Sequence, residues 1–169
     1  MLLWLSVAIA EPNFETLAQG RFLRVPSEQE VEAMQQSALQ DTLSASNFVV
    51  RAVASSALED KPYICAAYDF RTAQETMTVT CDSRPIIHVK LDGTPTVYPA
   101  RDGGTHQSVA KINGNQITQT LVGEGGQLDV VYVFVPNEVL VTKRISNSHL
   151  GKPLEVTVTY RQSEDRKRE

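Results

Sequence analysis

The 169-residue chain is 41% hydrophobic and 21% charged, enough to bury about two-thirds of its unfolded surface around one core. Its net charge of -4 excludes sequence-independent nucleic-acid binding, which needs a basic surface to displace counterions from phosphate. No stretch reaches the roughly 18 to 20 apolar residues of a membrane-spanning helix, and an aromatic content of 7% without interfacial girdles argues against an outer-membrane barrel.

Residues 1–10 form an apolar run closing on Ala8-Ile9-Ala10, with small residues where signal peptidase requires them, before Glu11-Pro12. This predicts the end of a secretory signal, a mature chain from Glu11, and a periplasmic or secreted location. No Lys or Arg precedes the run, so the competing reading is a buried first strand in a cytoplasmic protein. A single domain is expected over residues 11–161, followed by a charged, solvated tail at 162–169.

Gly20-Arg21-Phe22-Leu23-Arg24-Val25 predicts a first strand. Pro26-Ser27-Glu28-Gln29-Glu30 then supplies a capping box, in which the Ser27 hydroxyl accepts from the Glu30 amide while the Glu30 side chain reaches back. Val31, Met34, Ala38 and Leu39 follow at helical spacing, predicting an amphipathic helix over 28–43. Residues 43–47 break it. The segment from Phe48 to Leu58 mixes the β-branched residues of a strand with the Ala content of a helix. A second helix is the expectation, giving a helical lid over about 27–58.

From Lys61 onward turn signals recur at Asp92-Gly93, Asp102-Gly103-Gly104, Asn113-Gly114, Gly125-Gly126, Pro136-Asn137 and Gly151-Lys152-Pro153. Their spacing of roughly 8 to 12 residues predicts about nine antiparallel strands closing into a barrel or sandwich. In the first hairpin, the runs Pro62 to Phe70 and Thr76 to Cys81 flank a tip centred on Ala73. That centre sets Cys65 opposite Cys81, Ala67 opposite Val79 and Asp69 opposite Met77. The two cysteines then lie within disulfide range, the alternative being two free thiols in a cytosolic barrel. Two isolated Cys and three scattered His lack ligand spacing, so no metal site is expected.

The order of strand, helical pair and nine strands resembles the fatty-acid-binding-protein branch of the calycins. Gly20-Arg21-Phe22 matches that family's opening, residues 47–54 look like its second helix, and Pro62 falls where its second strand begins. The resemblance covers residues 20–161 and implies an all-β, ten-stranded antiparallel calycin-like barrel under an N-terminal helix-turn-helix lid, holding a lipid-like ligand inside. Residues 146–153 and Tyr160-Arg161 also resemble a group of uncharacterised bacterial exported proteins.

In that family the last strand carries Arg-x-Tyr, whose side chains reach the ligand carboxylate. Here Tyr160 keeps the Tyr position and Val158 stands where the Arg would be. A substitute cation is available in Arg144, or in Arg51 on the second lid helix. Strand alternation puts Lys143 and Arg144 on opposite faces, and the sequence leaves open which points inward. Phe48 and Tyr132 complete the candidate ligand-binding set, Tyr132 alternating with Leu128, Val130 and Phe134 as a core position would.

His88, His106 and His149 have no Ser, Cys or carboxylate in a nucleophile arrangement, and the glycine pairs read as hairpin turns. Neither catalysis nor a cofactor is expected. The expected function is that of an exported, monomeric carrier of a small apolar or amphipathic ligand. The alternatives are a protein-interaction barrel with a filled interior, or an enzyme using the cavity.

Overall fold

Alternation of apolar and polar residues makes most of this chain into strands with one face for a core and one for water. The computed structural model describes residues 17–44, 62–82, 87–99, 105–123, 126–148 and 150–164. Strand β1 (Gly20–Arg24) is followed by helix α1 (Glu28–Ser44). The remaining strands are β2 (Ala67–Ala73), β3 (Thr76–Cys81), β4 (Ile87–Lys90), β5 (Thr96–Pro99), β6 (Thr105–Asn113), β7 (Gln116–Gly123), β8 (Gly126–Val135), β9 (Glu138–Ser146) and β10 (Leu154–Gln162). The cleavage site at residues 8–10, the second lid helix with Phe48 and Arg51, and residues 165–169 of the tail lie outside the described residues.

The ten strands form one antiparallel sheet in the order β4-β3-β2-β1-β10-β9-β8-β7-β6-β5. Its seam joins the first strand to the last, with Phe22 opposite Gln162 and Arg24 opposite Tyr160. β4 and β5 are the sheet's two edges and lie beside each other without a ladder between them. The result is the expected all-β barrel, nearly closed, with a helix after the first strand.

Helix α1 starts where its capping box says. Ser27 N donates to Glu30 Oε2 at 2.8 Å and Glu30 N donates to Ser27 Oγ at 3.3 Å. The hydrogen bonds from the Ser27 amide and hydroxyl hold the Glu30 carboxyl below its usual value. Ser27→Ala is expected to lower stability by about 1 kcal/mol, read from the denaturation midpoint. Because the Glu30 pKa is depressed, its side of the box is in place above the unfolded carboxylate value and is lost as pH falls through the folded one.

The helix is tied over one end of the barrel. Val31 and Thr42 are buried, with Gln35 and Ala38 half-buried between them, a stripe at i, i+4, i+7 and i+11. Gln35 Nε2 donates to Pro62 O at 2.7 Å and Thr42 Oγ1 to Pro153 O at 3.3 Å. Lys152 pairs with Asp41. Met34, expected in the apolar stripe, is exposed instead, because the line of contact passes one position to its side.

The first hairpin departs from the predicted register. Cys81 pairs with Tyr68 rather than with Cys65, and Ala73 pairs with Thr76 across a two-residue turn. Gln74 and Glu75 both have positive φ, 47° and 61°, the twist that a tight hairpin favours. The physical reason is burial: a centre on Ala73 would set Asp69 opposite Met77, on the core face. The observed register puts Phe70 opposite Val79 and leaves Asp69 opposite Thr80, on the other face. The second strand accordingly begins at Ala67, not at Pro62. Cys65 nevertheless reaches Cys81 from the segment ahead of β2, with Cα atoms 5.5 Å apart and an S–S bond of 2.06 Å.

Rings fill the barrel away from the helix. Phe70 packs against Phe22, Tyr68, Tyr132 and Phe134 at centroid distances of 5.7, 5.4, 5.4 and 5.1 Å. Tyr160 sits edge-on to Tyr68 at 4.9 Å. All six rings are buried.

Candidate functional site

Toward the helix the interior changes character. A pocket of about 450 Å³ opens there, lined by His106, Leu121, Gly123, Gly126, Leu128 and Ile145, with Gln127 at its rim. Leu121, Leu128 and Ile145 come from one inner-face row across β7, β8 and β9, where Leu121 pairs with Leu128 and Leu128 with Ile145. Two glycines let neighbouring groups pack closely into the wall. A Cβ on Gly126, which has φ 136°, would meet Ser146 O at 2.4 Å, and one on Gly123 would meet His106 Nδ1 at 2.5 Å.

The next inner-face row carries polar groups. Gln119 pairs with Val130, and Val130 with Lys143. Gln119 is buried, its Nε2 donating to the buried Ser108 Oγ at 3.0 Å, with the Tyr132 hydroxyl 3.5 Å from its Oε1. Lys143 is half-buried. Its ammonium donates to the carbonyl of Tyr63 and lies 6.0 Å from the Tyr68 ring centroid. A cation therefore sits one row below an apolar pocket, with hydrogen-bonding groups two strands away, roughly 10 Å across the sheet.

The question left between Lys143 and Arg144 is answered by register. Phe134 pairs with Val139 and Tyr132 with Val141, so the inward phase on β9 runs through Lys143. Arg144 is exposed and belongs to the outer face, where it lines a groove of about 520 Å³ with Lys111, Thr120, Asp129 and Glu155. That outer groove is larger, but it lies on the solvent side of the sheet, where Lys111, Asp129, Arg144 and Glu155 surround Val109 and Val131. Arg144 is thus not placed to meet a ligand in the interior.

Tyr132 and Tyr160 both point inward and are 3% and 1% exposed. Tyr132 is at once a core ring and a polar neighbour of Gln119. Burial pushes the Tyr160 phenol far above its ordinary value, so it stays protonated and donates to Cys65 O at 3.0 Å. The tyrosine kept from the resembled motif is here committed to the disulfide segment.

That segment has a second clamp in Asp82, which accepts from Tyr63 Oη at 2.7 Å, Ala66 N at 2.9 Å and Ala67 N at 2.8 Å. Burial works to raise the Asp82 pKa, but these hydrogen bonds and the Arg24 charge outweigh it and hold the carboxyl below its usual value. A depressed carboxylate pKa means stability present above the unfolded value and lost as pH falls through the folded one. Asp82→Asn should therefore melt below wild type at neutral pH, with the gap closing as pH falls through the carboxylate range in thermal scans. Asp82 lies within 4.8 Å of both sulfurs, but these are bonded to each other and offer no thiolate for a metal.

No protein-family model and no curated protein matches the chain. Solved structures do. A fatty-acid-binding protein from brain tissue of Drosophila melanogaster aligns at 20% identity with a TM-score of 0.52, over 86% of this chain and 98% of that one. A Schistosoma mansoni fatty acid binding protein in complex with arachidonic acid aligns at 13% identity and a TM-score of 0.55, over 90% of this chain and 100% of that one. The lipid binding protein 8 of Caenorhabditis elegans aligns at 11% identity and 0.54, over 87% and 96%. From seam to helix-capped end, this chain has the fold of the fatty-acid-binding proteins.

Proposed function

We propose that the protein is an exported, monomeric carrier of a small amphipathic, lipid-like ligand, bound at the helix end of the barrel. The observation that carries this reading is the apolar pocket over an inward cation: Leu121, Leu128 and Ile145 for a hydrocarbon part, and Lys143 one row below for an anionic head. A volume of about 450 Å³ suits a small molecule rather than a macromolecule. The fatty acids and lipids named with the structural neighbours support the same ligand class. The Cys65–Cys81 disulfide supports export, since such bonds persist in oxidising compartments.

The packed rings set a limit that an empty barrel would not have. Each buried methylene is worth about 0.8 kcal/mol, so with the head held at Lys143 above the rings, affinity should rise with chain length until the hydrocarbon fills the space lined by Leu121, Leu128 and Ile145, and then level off. Displacement of a fluorescent lipid probe by a series of acids and alcohols measures this. Lys143→Met should weaken acids by roughly tenfold or more, in line with the strength of hydrogen bonds to charged groups, and leave alcohols of equal length unchanged. Arg144→Met should change neither. Affinity independent of chain length would favour a filled scaffold instead.

A further inference from the structure

Lys143 is not placed by its own strand alone. Its ammonium donates to Tyr63 O, and Tyr63 belongs to the stretch just ahead of β2. Among the described residues that stretch is held by side chains more than by ladders. Cys65 is bonded to Cys81. Asp82 accepts from the Tyr63 hydroxyl and the Ala66 and Ala67 amides. Tyr160 Oη donates to Cys65 O, and one backbone bond joins Arg24 N to Ala66 O at 2.9 Å. A lysine stem is long and flexible, so a fixed carbonyl orients it before any ligand arrives. The carbonyl takes one of the ammonium's three donors.

We infer that Cys65, Cys81 and Asp82 are positioning residues for Lys143, that they make the pocket selective for anionic over neutral amphipathic ligands, and that reducing the disulfide relaxes this selectivity. The inference rests on the helix-end binding proposed above. Reduction by a dithiol supplies two electrons and two protons: the Cys65–Cys81 bond breaks, two thiols form, and the dithiol leaves as its own disulfide. Tyr63 then loses its nearest covalent tether to β3, and the ordering of Lys143 becomes a cost of binding the anion.

The test uses the full chain and a fatty acid with the alcohol of equal length, each displacing a fluorescent lipid probe. Four states are compared: oxidised protein, protein with dithiothreitol, the Cys65→Ser/Cys81→Ser variant, and Asp82→Asn with the disulfide intact. The acid-to-alcohol affinity ratio should fall by roughly tenfold in the last three, the worth of one well-placed charge-assisted hydrogen bond, while alcohol affinity holds. In Lys143→Met the ratio should already be low and should not respond to dithiothreitol. Circular dichroism checks folding, and Asp82→Asn carries the test where the cysteine variant unfolds. Parallel weakening of acid and alcohol on reduction, or a Lys143→Met ratio that still responds to it, would overturn the positioning role. Failure of the oxidised protein to bind either ligand would sink the helix-end binding site itself, and the inference with it.

Discussion

Phe70→Ala is expected to lower the unfolding free energy by about 3 to 5 kcal/mol, the usual range for deleting a buried ring. Phe70 is 0% exposed and is the ring that four of the others share, touching Phe22, Tyr68, Tyr132 and Phe134. These neighbours come from β1, β2 and β8, so the hole cannot be closed by one strand moving inward. Edge-to-face contacts add to the loss, at about 0.5 to 1.5 kcal/mol per aromatic pair beyond area burial. Denaturant titration should show a lower midpoint with the slope retained. Val97→Ala, at a position 60% exposed, is the control and should stay within about 0.5 kcal/mol of wild type. A small effect at Phe70 would mean that the rings are loosely packed and that the interior is more open than described.

The second large effect belongs to the disulfide. Cys65 and Cys81 are 16 residues apart, and closing a loop of that size stabilises by about 3 kcal/mol through the unfolded chain's lost freedom. Cys65→Ser/Cys81→Ser should show that loss under oxidising conditions. Wild type with reductant should match the variant, because both lack the same tether. Equal midpoints for oxidised and reduced wild type would mean that Asp82 and the Tyr160 hydroxyl hold the segment unaided.

Much of this architecture is legible in the residues. Ser27 and Glu30 mark the helix start because the capping box is local chemistry, and the regular turn signals separate nine strands because a hairpin needs special φ at its tip. The phase of each strand is harder. Val139-Leu140-Val141 is apolar throughout, so Lys143 and Arg144 cannot be told apart within β9. Counting back through the Pro136-Asn137 turn from Phe134 and Tyr132 would have decided it. The same reasoning finds Gln119, which sits between the inward Ile117 and Leu121. For the first hairpin, an appealing symmetry between two cysteines hid a rule with more energy behind it. A carboxylate at residue 69 will not face the core, and that alone shifts the register while leaving the disulfide within reach. His106 carries no signal of its own, since its position depends on Gly123 across the ladder.

The seam between β1 and β10 has a consequence for how the molecule comes into being. Pairing Phe22 with Gln162 joins the first and last strands of the barrel, and until β10 exists both β1 and β9 are exposed edges. Loop closure over such distances is slow, and it cannot begin until β10 has been made. The hairpins from β6 to β9 are local and can form as they emerge, whereas the ring around Phe70 needs β1, β2 and β8 together. The barrel therefore becomes a container only after its last strand is made, and a nascent chain stopped short of Leu154 should stay protease-sensitive and unable to hold a ligand.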